Sequence, residues 1–365
     1  KKKKFNAFIG LMGIKDYELF WNDISDNKIL INKEFQISNG LENILQKNKI
    51  IKYKWYDTGT NENYKRTQNS FKDRNIRKEN ETIYIKEKKL VIKYFKDESK
   101  VKKLKRRCKQ LKPFSPTIVK SSNNFLVYKY IKGKLLSEIS AVEFSYLLDE
   151  VMNKFWLKNY RKISDLDFKN LNKKFYQKKT YDRVKKFFLI NNLKDTTNYI
   201  NGIKVQSVFK MLNKLNWNSI CTGVQTNFHG DFQPENIIYN KKKISFIDWR
   251  DDFGGNLNIG DLYYEFAKLE HALIINGEKI RNGKYKIEIK NNIINYSFQK
   301  KSKLIKFRTI FHKFLSNHNF DINKVKLLSI LIYLNIAPLH EQPYSNLLYY
   351  HGKLSLFNLI NEKKK

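Results

Sequence analysis

Three side chains that carry oxygen atoms recur close together between positions 227 and 252 of the chain. Asp231, Asn236 and Asp248 lie within the sequence NFHGDFQPENIIYNKKKISFIDWRDD. Carboxylate and amide oxygens are suitable ligands for Mg²⁺, and a carboxylate can also accept the proton of an attacking hydroxyl. The residue types therefore predict phosphoryl transfer, in which a protein contributes mainly positioning and electrostatic stabilisation.

The sequence around these residues predicts a β-hairpin. Two apolar runs, 236–239 and 244–247, flank a polar turn. The entry to the first strand and the end of the second strand then lie side by side, so the three oxygen-bearing side chains are expected to converge. The alternative is a solvated turn between two ordinary strands, because Asp and Asn are common in turns.

The spacing of this motif resembles that of a known enzyme family. His229, Asp231 and Asn236 match the kinase catalytic loop H-R-D-x-x-x-x-N, with Gly230 in place of the arginine, and Asp248 follows at the position of a metal-binding aspartate. With H-G-D and I-D-W, the segment resembles the aminoglycoside phosphotransferase and choline kinase family. The resemblance implies that Asp231 is the catalytic base, that Asn236 and Asp248 bind Mg²⁺, and that ATP is the phosphoryl donor. His229 is predicted to brace the loop.

A phosphate-binding lysine is expected upstream of this motif. Apolar runs between 81 and 95 predict a hairpin, and Val91-Ile92-Lys93 corresponds to the V-A-I-K strand that presents such a lysine in kinases. Lys93 is therefore the cofactor-binding candidate. Lys86 and Lys96 remain alternatives, because a small register error would exchange them for it.

The same region departs from the kinase pattern in two respects. No glycine occurs between 71 and 90, so the sequence has no evident Gly-rich phosphate loop. Residues 99–111 predict a basic helix in the place of the kinase αC helix, but this helix has no evident glutamate partner for Lys93. Glu98 is the nearest acid, and it is predicted to be a helix N-terminal charge.

A hinge is expected after the next strand. Residues 125–131 predict a strand that leads into Lys132 and Gly133 and resembles the hinge of the family. The resemblance implies that backbone groups of Tyr130 and Ile131 pair with adenine. A plain edge strand is the alternative.

The kinase-like resemblance covers residues 73–365 and implies a two-lobed α+β fold. A β-rich N-lobe with one helix and the hinge would span 73–133. A mainly helical C-lobe would span 134–365, because apolar residues recur there at spacings of three and four. Asp261 is expected to cap a C-lobe helix, and in the family an acid at this place also braces the catalytic loop. ATP would bind between the lobes.

Residues 1–72 resemble the C-terminal part of a sugar-phosphate nucleotidyltransferase. Residues 8–21 predict a strand, a turn and a short helix, and a W-x-D-x-G-T segment follows at 55–60, with Tyr64 after it. The Gly-rich nucleotide loop of such enzymes does not occur in the sequence. This predicts either a fragment of a two-enzyme fusion or an α/β remnant without its own catalysis. Asp57 is predicted to form a turn rather than to bind a metal.

The net charge of +37 would ordinarily indicate a nucleic acid or an acidic membrane as a partner. The lysines are spread along the whole chain, and abundant Asn and Ile accompany them, as expected of an AT-rich genome. No RNA-binding aromatic motif or zinc finger occurs with them. We therefore expect no specific nucleic-acid partner.

The remaining composition fits a cytoplasmic protein. The two cysteines, Cys108 and Cys221, do not have the spacing of a zinc site or a disulfide framework. No run of 18 or more apolar residues predicts a membrane span, and the apolar stretch 327–339 predicts a buried helix. The sequence does not predict an oligomeric state.

Together these features predict ATP-dependent phosphorylation of a hydroxyl on a small metabolite, such as a sugar or head-group precursor for cell-surface glycan or lipid. One alternative is a choline- or ethanolamine-type kinase, with a quaternary-ammonium cage formed by Trp156, Trp217, Trp249, Tyr263 and Tyr264. The second alternative is a non-catalytic pseudokinase scaffold. The missing glycine loop favours the scaffold, and the complete set of oxygen ligands opposes it.

Overall fold

A computed structural model describes residues 14–26, 30, 34, 37–41, 44, 55–71, 75–78, 81–158 and 162–362 of the chain. The chain divides into two compact units, Lys1–Asp73 and Arg74–Lys365. In the first unit the described helices are α1 (Tyr17–Asp26) and α2 (Asn61–Phe71), with a 3₁₀ turn at Ile37–Leu41. The strand predicted at the start of residues 8–21 lies outside the described residues.

Asp57 forms the turn that precedes α2. Its Oδ1 accepts the backbone N–H of Gly59 at 2.9 Å, and its Oδ2 accepts a hydrogen bond from the Asn63 side chain. This carboxylate therefore serves local structure, as the sequence predicted. The resemblance of this segment to a nucleotidyltransferase stays a prediction.

The second unit begins with a five-stranded antiparallel sheet and one helix. The strands are β1 (Asn75–Lys78), β2 (Glu81–Lys86), β3 (Leu90–Phe95), β4 (Ile118–Ser121) and β5 (Phe125–Lys129), in the order β1-β2-β3-β5-β4. The predicted hairpin is present, with Ile83 opposite Lys93. β5 lies between β3 and β4, so the edge-strand alternative for the hinge is wrong.

Helix α3 (Glu98–Gln110) covers this sheet. Asp97 caps its N-terminus by accepting the Ser99 N–H at 2.9 Å. Val101, Leu104 and Cys108 are buried on one face of the helix, because residues three and four apart share a face. The predicted basic helix and its apolar face are confirmed.

The rest of the unit is mainly helical. Its helices are α4 (Ala141–Val151), α5 (Asp165–Asn172), α6 (Lys179–Ile190), α7 (Val208–Asn213), α8 (Trp217–Ile220), α9 (Leu262–Ile274), α10 (Gly277–Arg281), α11 (Ser302–Asn317), α12 (Ile322–Ile336) and α13 (Tyr344–Glu362). Its strands are β6 (Lys134–Leu135), β7 (Asn198–Ile200), β8 (Ile203–Val205), β9 (Gln225–Thr226), β10 (Ile237–Asn240), β11 (Lys243–Phe246), β12 (Gly260–Asp261), β13 (Tyr285–Lys290) and β14 (Ile293–Phe298). The predicted α+β fold, with a β-rich first lobe and a helical second lobe, is confirmed.

Helix α12 is the apolar centre of the second lobe. Among the described residues, one window, Ile322–Leu339, is long and apolar enough to cross a membrane, and 61% of it is buried inside the protein. It packs against α9 and α13. Its apolar sequence is therefore explained by its place in the core, as predicted.

The predicted catalytic hairpin consists of β10 and β11. Ile238 pairs with Ser245, and the turn residues Lys241 and Lys242 have φ values of +47° and +67°. Positive φ at both turn residues matches the twist of the two strands. β6 pairs with the other edge of β10, which joins the segment after the hinge to the hairpin.

Candidate active site

The hairpin brings Asn236 next to Asp248. The backbone N–H of Ile247 donates to the backbone oxygen of Asn236 at 2.9 Å, and Asp248 is the next residue. Asp248 has φ +55°, which is uncommon outside glycine. Backbone conformations of this kind concentrate at functional sites.

Asn236 also contacts Asp231. Its side-chain Nδ2 donates to the Asp231 backbone oxygen at 3.0 Å and to Asp231 Oδ2 at 2.8 Å. Because the amide nitrogen faces Asp231, the amide oxygen Oδ1 faces away from it. The structure therefore brings the three oxygen-bearing side chains together, and Asn236 stands between the other two.

Asp231 forms an ion pair that the sequence did not reveal. Lys268 Nζ, on α9, lies 2.6 Å from Asp231 Oδ1, and the two side chains are 9% and 34% exposed. Burial alone would raise the pKa of Asp231, but the charge and hydrogen bond of Lys268 outweigh it and lower the pKa to about 2. Asp231 is therefore an ionised carboxylate at neutral pH, and part of it is open to an incoming hydroxyl.

His229 braces the loop that carries Asp231. Its Nδ1 accepts the backbone N–H of Asp231 at 3.1 Å, so its Nε2 carries the proton and donates to the Ile247 oxygen at 2.9 Å. Burial lowers the pKa of His229 to about 4, which keeps the ring neutral at neutral pH. The ring ties the loop to the end of β11, which agrees with the bracing role predicted for it.

Glu265 holds the same loop from the opposite side. Its carboxylate accepts the backbone N–H groups of His229 at 2.8 Å and of Gly230 at 2.7 Å. Glu265 is fully buried in α9, and burial raises its pKa to about 7 although these hydrogen bonds oppose the rise. Glu265 is thus a positioning residue for the catalytic loop.

The prediction that Asp261 braces the catalytic loop is wrong, whereas its predicted role as a helix cap is confirmed. Asp261 does cap α9, since it accepts the Tyr263 N–H at 3.1 Å. Its other bonds go to the Val224 N–H at 3.0 Å and the Tyr176 hydroxyl at 2.8 Å, away from the catalytic loop. The loop is held one helical turn later, by Glu265, because residues four apart share a helix face.

The Glu265→Gln variant is expected to lose a pH dependence of stability. A carboxyl group whose pKa rises from 4.5 to about 7 on folding stabilises the folded state fully below its unfolded pKa. This contribution is lost as the pH rises through about 7. The free energy of unfolding, measured by urea titration, should therefore fall more for the parent than for the variant between about pH 5 and about pH 8. Parallel profiles would show that Glu265 does not titrate in this range.

A steric constraint explains why glycine occupies position 230, where the kinase motif H-R-D has arginine. It has φ +84°, and a Cβ atom at this position would lie 2.4 Å from the Cβ of Arg250. Arg250 approaches this closely because its backbone N–H donates to the His229 oxygen at 2.9 Å. The close crossing of these two segments therefore requires glycine between His229 and Asp231.

The Gly230→Ala variant is expected to unfold at lower denaturant than the parent. It combines a left-handed backbone, which costs an alanine roughly 1–2 kcal/mol, with the clash against Arg250. Gly202→Ala is the matched control, because Gly202 has φ +78° and open space around its missing Cβ. Urea titrations should give a larger loss for Gly230→Ala, and equal losses would remove the steric explanation.

Lys93 lies at the same site. Its side chain is hydrogen-bonded to Asp248 Oδ1 and lies 3.4 Å from Glu81 Oε1. Lys93 is 5% exposed, whereas Lys86 and Lys96 are exposed to solvent. The structure thus places the predicted lysine, and neither of its alternatives, beside the candidate metal ligands.

The acidic partner of Lys93 comes from the sheet and not from α3. Glu81 is on β2, and in the observed register it is a diagonal neighbour of Lys93 on the same face. Glu98 lies in the first turn of α3, as predicted. Glu81 could have been predicted as the partner of Lys93 from the hairpin register, because this register places residues 81 and 93 on one face of the sheet.

Arg107 connects α3 to the catalytic loop. Its buried guanidinium group donates to the backbone oxygens of Phe228 and Leu257, the latter at 3.0 Å, and stacks on the Phe228 ring at 3.7 Å from the centroid. Phe228 immediately precedes His229. The sequence predicted a basic helix over 99–111 but did not reveal this buried cation.

The hinge prediction needs one correction. The backbone N–H of Tyr130 donates to the Lys89 oxygen at 2.8 Å, so it is already used within the sheet. The antiparallel register of β3 and β5 causes this, because Leu90 is opposite Lys129. The Tyr130 carbonyl and the Ile131 N–H are the groups left to test for adenine binding.

Three of the aromatic residues suggested for an ammonium cage are buried in the core, and the other two, Trp217 and Tyr263, are half-buried beside it. Trp156 and Trp249 lie in one buried cluster, and Tyr264 lies in another, which Trp217 packs against. Tyr263 packs against both clusters. Three of the five rings are thus used in core packing, which does not favour the predicted cage.

Comparison with known proteins gives remote structural similarities. No protein-family model and no curated protein sequence matches the chain. Aminoglycoside phosphotransferase APH(2'')-Ib in an ADP-bound form is 15% identical, with a TM-score of 0.44, and the similarity covers 81% of this chain and 97% of that chain. Choline kinase from Cryptosporidium parvum Iowa II is 12% identical, with a TM-score of 0.44 and coverages of 80% and 90%.

Plasmodium vivax ethanolamine kinase is 14% identical, with a TM-score of 0.44 and coverages of 92% and 98%. These solved structures belong to the groups that the H-G-D motif resembles. At such identities and TM-scores the similarity does not bear on substrate or activity. The functional proposal therefore rests on the geometry of the site.

Proposed function

We propose that residues 74–365 form an ATP-dependent phosphotransferase that acts on a hydroxyl group of a small molecule. The observation that carries this proposal is the chain of contacts from Lys93 to Asp248, from Ile247 to Asn236, and from Asn236 to Asp231. It joins a phosphate-binding cation, two metal-ligand candidates and a carboxylate base in one place. Phosphoryl transfer requires these parts.

Asn236 and Asp248 fit Mg²⁺ as protein ligands. Both offer hard oxygen atoms, and Mg²⁺ commonly takes only one or two protein ligands and completes its shell with water and substrate phosphates. Within the described part of the chain, no group of three His, Cys, Asp or Glu side chains is placed to hold a metal by itself. When bound, Mg²⁺ would neutralise charge on the nucleotide phosphates.

The protein residues then have separate tasks. Asp231 accepts the proton of the acceptor hydroxyl, because its low pKa keeps it ionised and about a third of its side chain is exposed. Lys93 exchanges its contact with Asp248 for a nucleotide phosphate, while Glu81 keeps it in position. The Tyr130 carbonyl and the Ile131 N–H contact adenine. His229 and Glu265 hold the loop that presents Asp231.

The first unit supports a more specific class of acceptor. Its resemblance to a sugar-phosphate nucleotidyltransferase supports a precursor of cell-surface glycan or lipid as the acceptor. Burial of Trp156, Trp249 and Tyr264 in the core weakens the feature that favoured choline. The non-catalytic scaffold remains the second candidate, because residues 71–90 contain no glycine.

A screen of hydroxyl metabolites tests this proposal. Purified protein is mixed with MgATP and each of a panel of sugars, polyols and their phosphate esters, and ADP production is measured. The proposal predicts that at least one acceptor raises ADP production above the acceptor-free rate. The scaffold alternative predicts no rise with any of them.

A further inference from the structure

A cationic cavity of about 310 Å³ lies in the second lobe, beside the loop that follows Asp248. Five cationic side chains line it, against two carboxylates. The cationic residues are Lys174, Lys178, Lys179, Arg183 and Arg250. The proposed function gives none of these side chains a role.

Local helix geometry explains how these side chains come together. A π-helical segment, Lys173–Lys178, joins α5 to α6. Such wide turns shift the side chains that follow and are frequent at functional sites. Lys179 and Arg183 are four residues apart on α6, so they share one face of that helix.

The cavity adjoins the catalytic loop. Arg250 lines it, and the backbone N–H of Arg250 donates to the His229 oxygen at 2.9 Å, two residues before Asp231. Arg250 also follows Asp248 by two residues. One wall of the cavity thus contacts the loop that carries Asp231, and an acceptor molecule has to bind beside Asp231.

The cations in this cavity outnumber its two carboxylates, Asp182 and Asp252. Among the described residues, no ion pair joins Lys179, Arg183 or Arg250 to a carboxylate. Asp252, which also lines the cavity, pairs with Lys103 at 3.4 Å. Lys179 Nζ instead lies 3.9 Å from the centroid of the Phe175 ring. Burial, Arg250 and Arg183 together lower the pKa of Lys179 well below its usual range, so an anion here would stabilise its charged form.

We propose that this cavity binds a phosphate group of the acceptor, so that the substrate is a hydroxyl compound that already carries a phosphate ester. The inference rests on the proposed function, because it names the acceptor class of that reaction. Guanidinium and ammonium groups together suit phosphate oxygens. An acceptor with amino or quaternary ammonium groups would meet like charges at this wall.

The reaction follows from this placement. The acceptor hydroxyl loses its proton to Asp231, and its oxygen forms a bond to the γ-phosphorus of ATP. The bond from that phosphorus to the bridging oxygen breaks, and ADP leaves with the electron pair. The product then carries two phosphate groups, one held in the cavity and one newly transferred.

Binding and turnover are measured separately to test this inference. Calorimetry at constant ionic strength compares inorganic phosphate and glycerol 3-phosphate with uncharged glycerol and with choline. We expect the two phosphate compounds to bind and the other two not to bind. Arg183→Met and Lys179→Met should each weaken phosphate binding about tenfold or more, the effect of losing one charge-assisted hydrogen bond. MgATP binding by each variant reports that its fold is intact.

Lys185→Met is the matched control, because Lys185 is an exposed lysine of α6 that does not line this cavity. It should bind phosphate as the parent does. The inference is overturned if glycerol or choline binds as tightly as glycerol 3-phosphate, or if both cavity variants behave like Lys185→Met. A third outcome is that the parent binds phosphate through Arg183 but does not bind MgATP. In that case the anion site would stand and the proposed phosphotransferase function would be excluded.

Discussion

Replacement of Asp231 by asparagine is expected to lower the rate of phosphoryl transfer by roughly 10²- to 10⁴-fold, the usual contribution of a general base. Asparagine keeps the size of the side chain but cannot accept the hydroxyl proton. MgATP affinity should change little, because Asp231 is not one of the proposed metal ligands and the amide oxygen of an asparagine at this position can still accept the hydrogen bond from Asn236. Steady-state ADP production and MgATP calorimetry measure the two quantities.

Loss of Asp231 should also lower stability, because Lys268 is 9% exposed and would lose its carboxylate partner. The double variant Asp231→Asn with Lys268→Met removes the unpaired charge as well. We expect it to recover stability without recovering turnover, which separates catalysis from folding. Asp149→Asn, an exposed position on α4, is the control for the chemical change alone. Full turnover by Asp231→Asn would exclude Asp231 as the base.

Replacement of Asp248 by asparagine is expected to weaken MgATP binding by about 100-fold, because loss of the charge of a metal-binding carboxylate costs at least as much as loss of a residue that supports a metal ligand. Asparagine suits this position better than alanine, since it tolerates the left-handed backbone that φ +55° requires. Lys93 keeps Glu81 as a partner. Calorimetric titrations with MgATP, and with ATP in the presence of a chelator, measure the effect.

The metal dependence is the informative part of this experiment. In the parent, addition of Mg²⁺ should raise ATP affinity, and in Asp248→Asn this gain should be much smaller, because a neutral amide oxygen is a weaker Mg²⁺ ligand than a carboxylate. Asp149→Asn again serves as the control and should behave as the parent does. A variant that kept the full Mg²⁺-dependent gain of the parent would show that Asp248 is not a metal ligand.

The local parts of the site could be predicted from the sequence. Asp231, Asn236 and Asp248 belong to one hairpin of 26 residues with its entry loop, so turn chemistry and strand alternation alone bring them together. Lys93 followed from a strand pattern, and its burial agrees with that assignment. The steric need for Gly230 could not be predicted, because it depends on how closely Arg250 crosses the loop.

The partners that set the electrostatics of the site come from distant elements. Lys268 and Glu265 are on α9, more than 30 residues after the catalytic loop. In the sequence they look like polar residues of an amphipathic helix, and the observed packing instead buries both. The cationic cavity could not be predicted from the sequence. Lysine is abundant along the whole chain, so a local cluster of basic residues did not stand out from the overall composition.

ADP production by the unmodified protein tests most directly whether residues 74–365 are a phosphotransferase. We expect slow release of ADP from MgATP even without an acceptor, because water can replace the hydroxyl at Asp231. The release should saturate with MgATP and stop when Mg²⁺ is chelated. ADP production no greater than that of heat-inactivated protein, with and without glycerol 3-phosphate and the other phosphate esters, would contradict the proposed function and leave a non-catalytic protein.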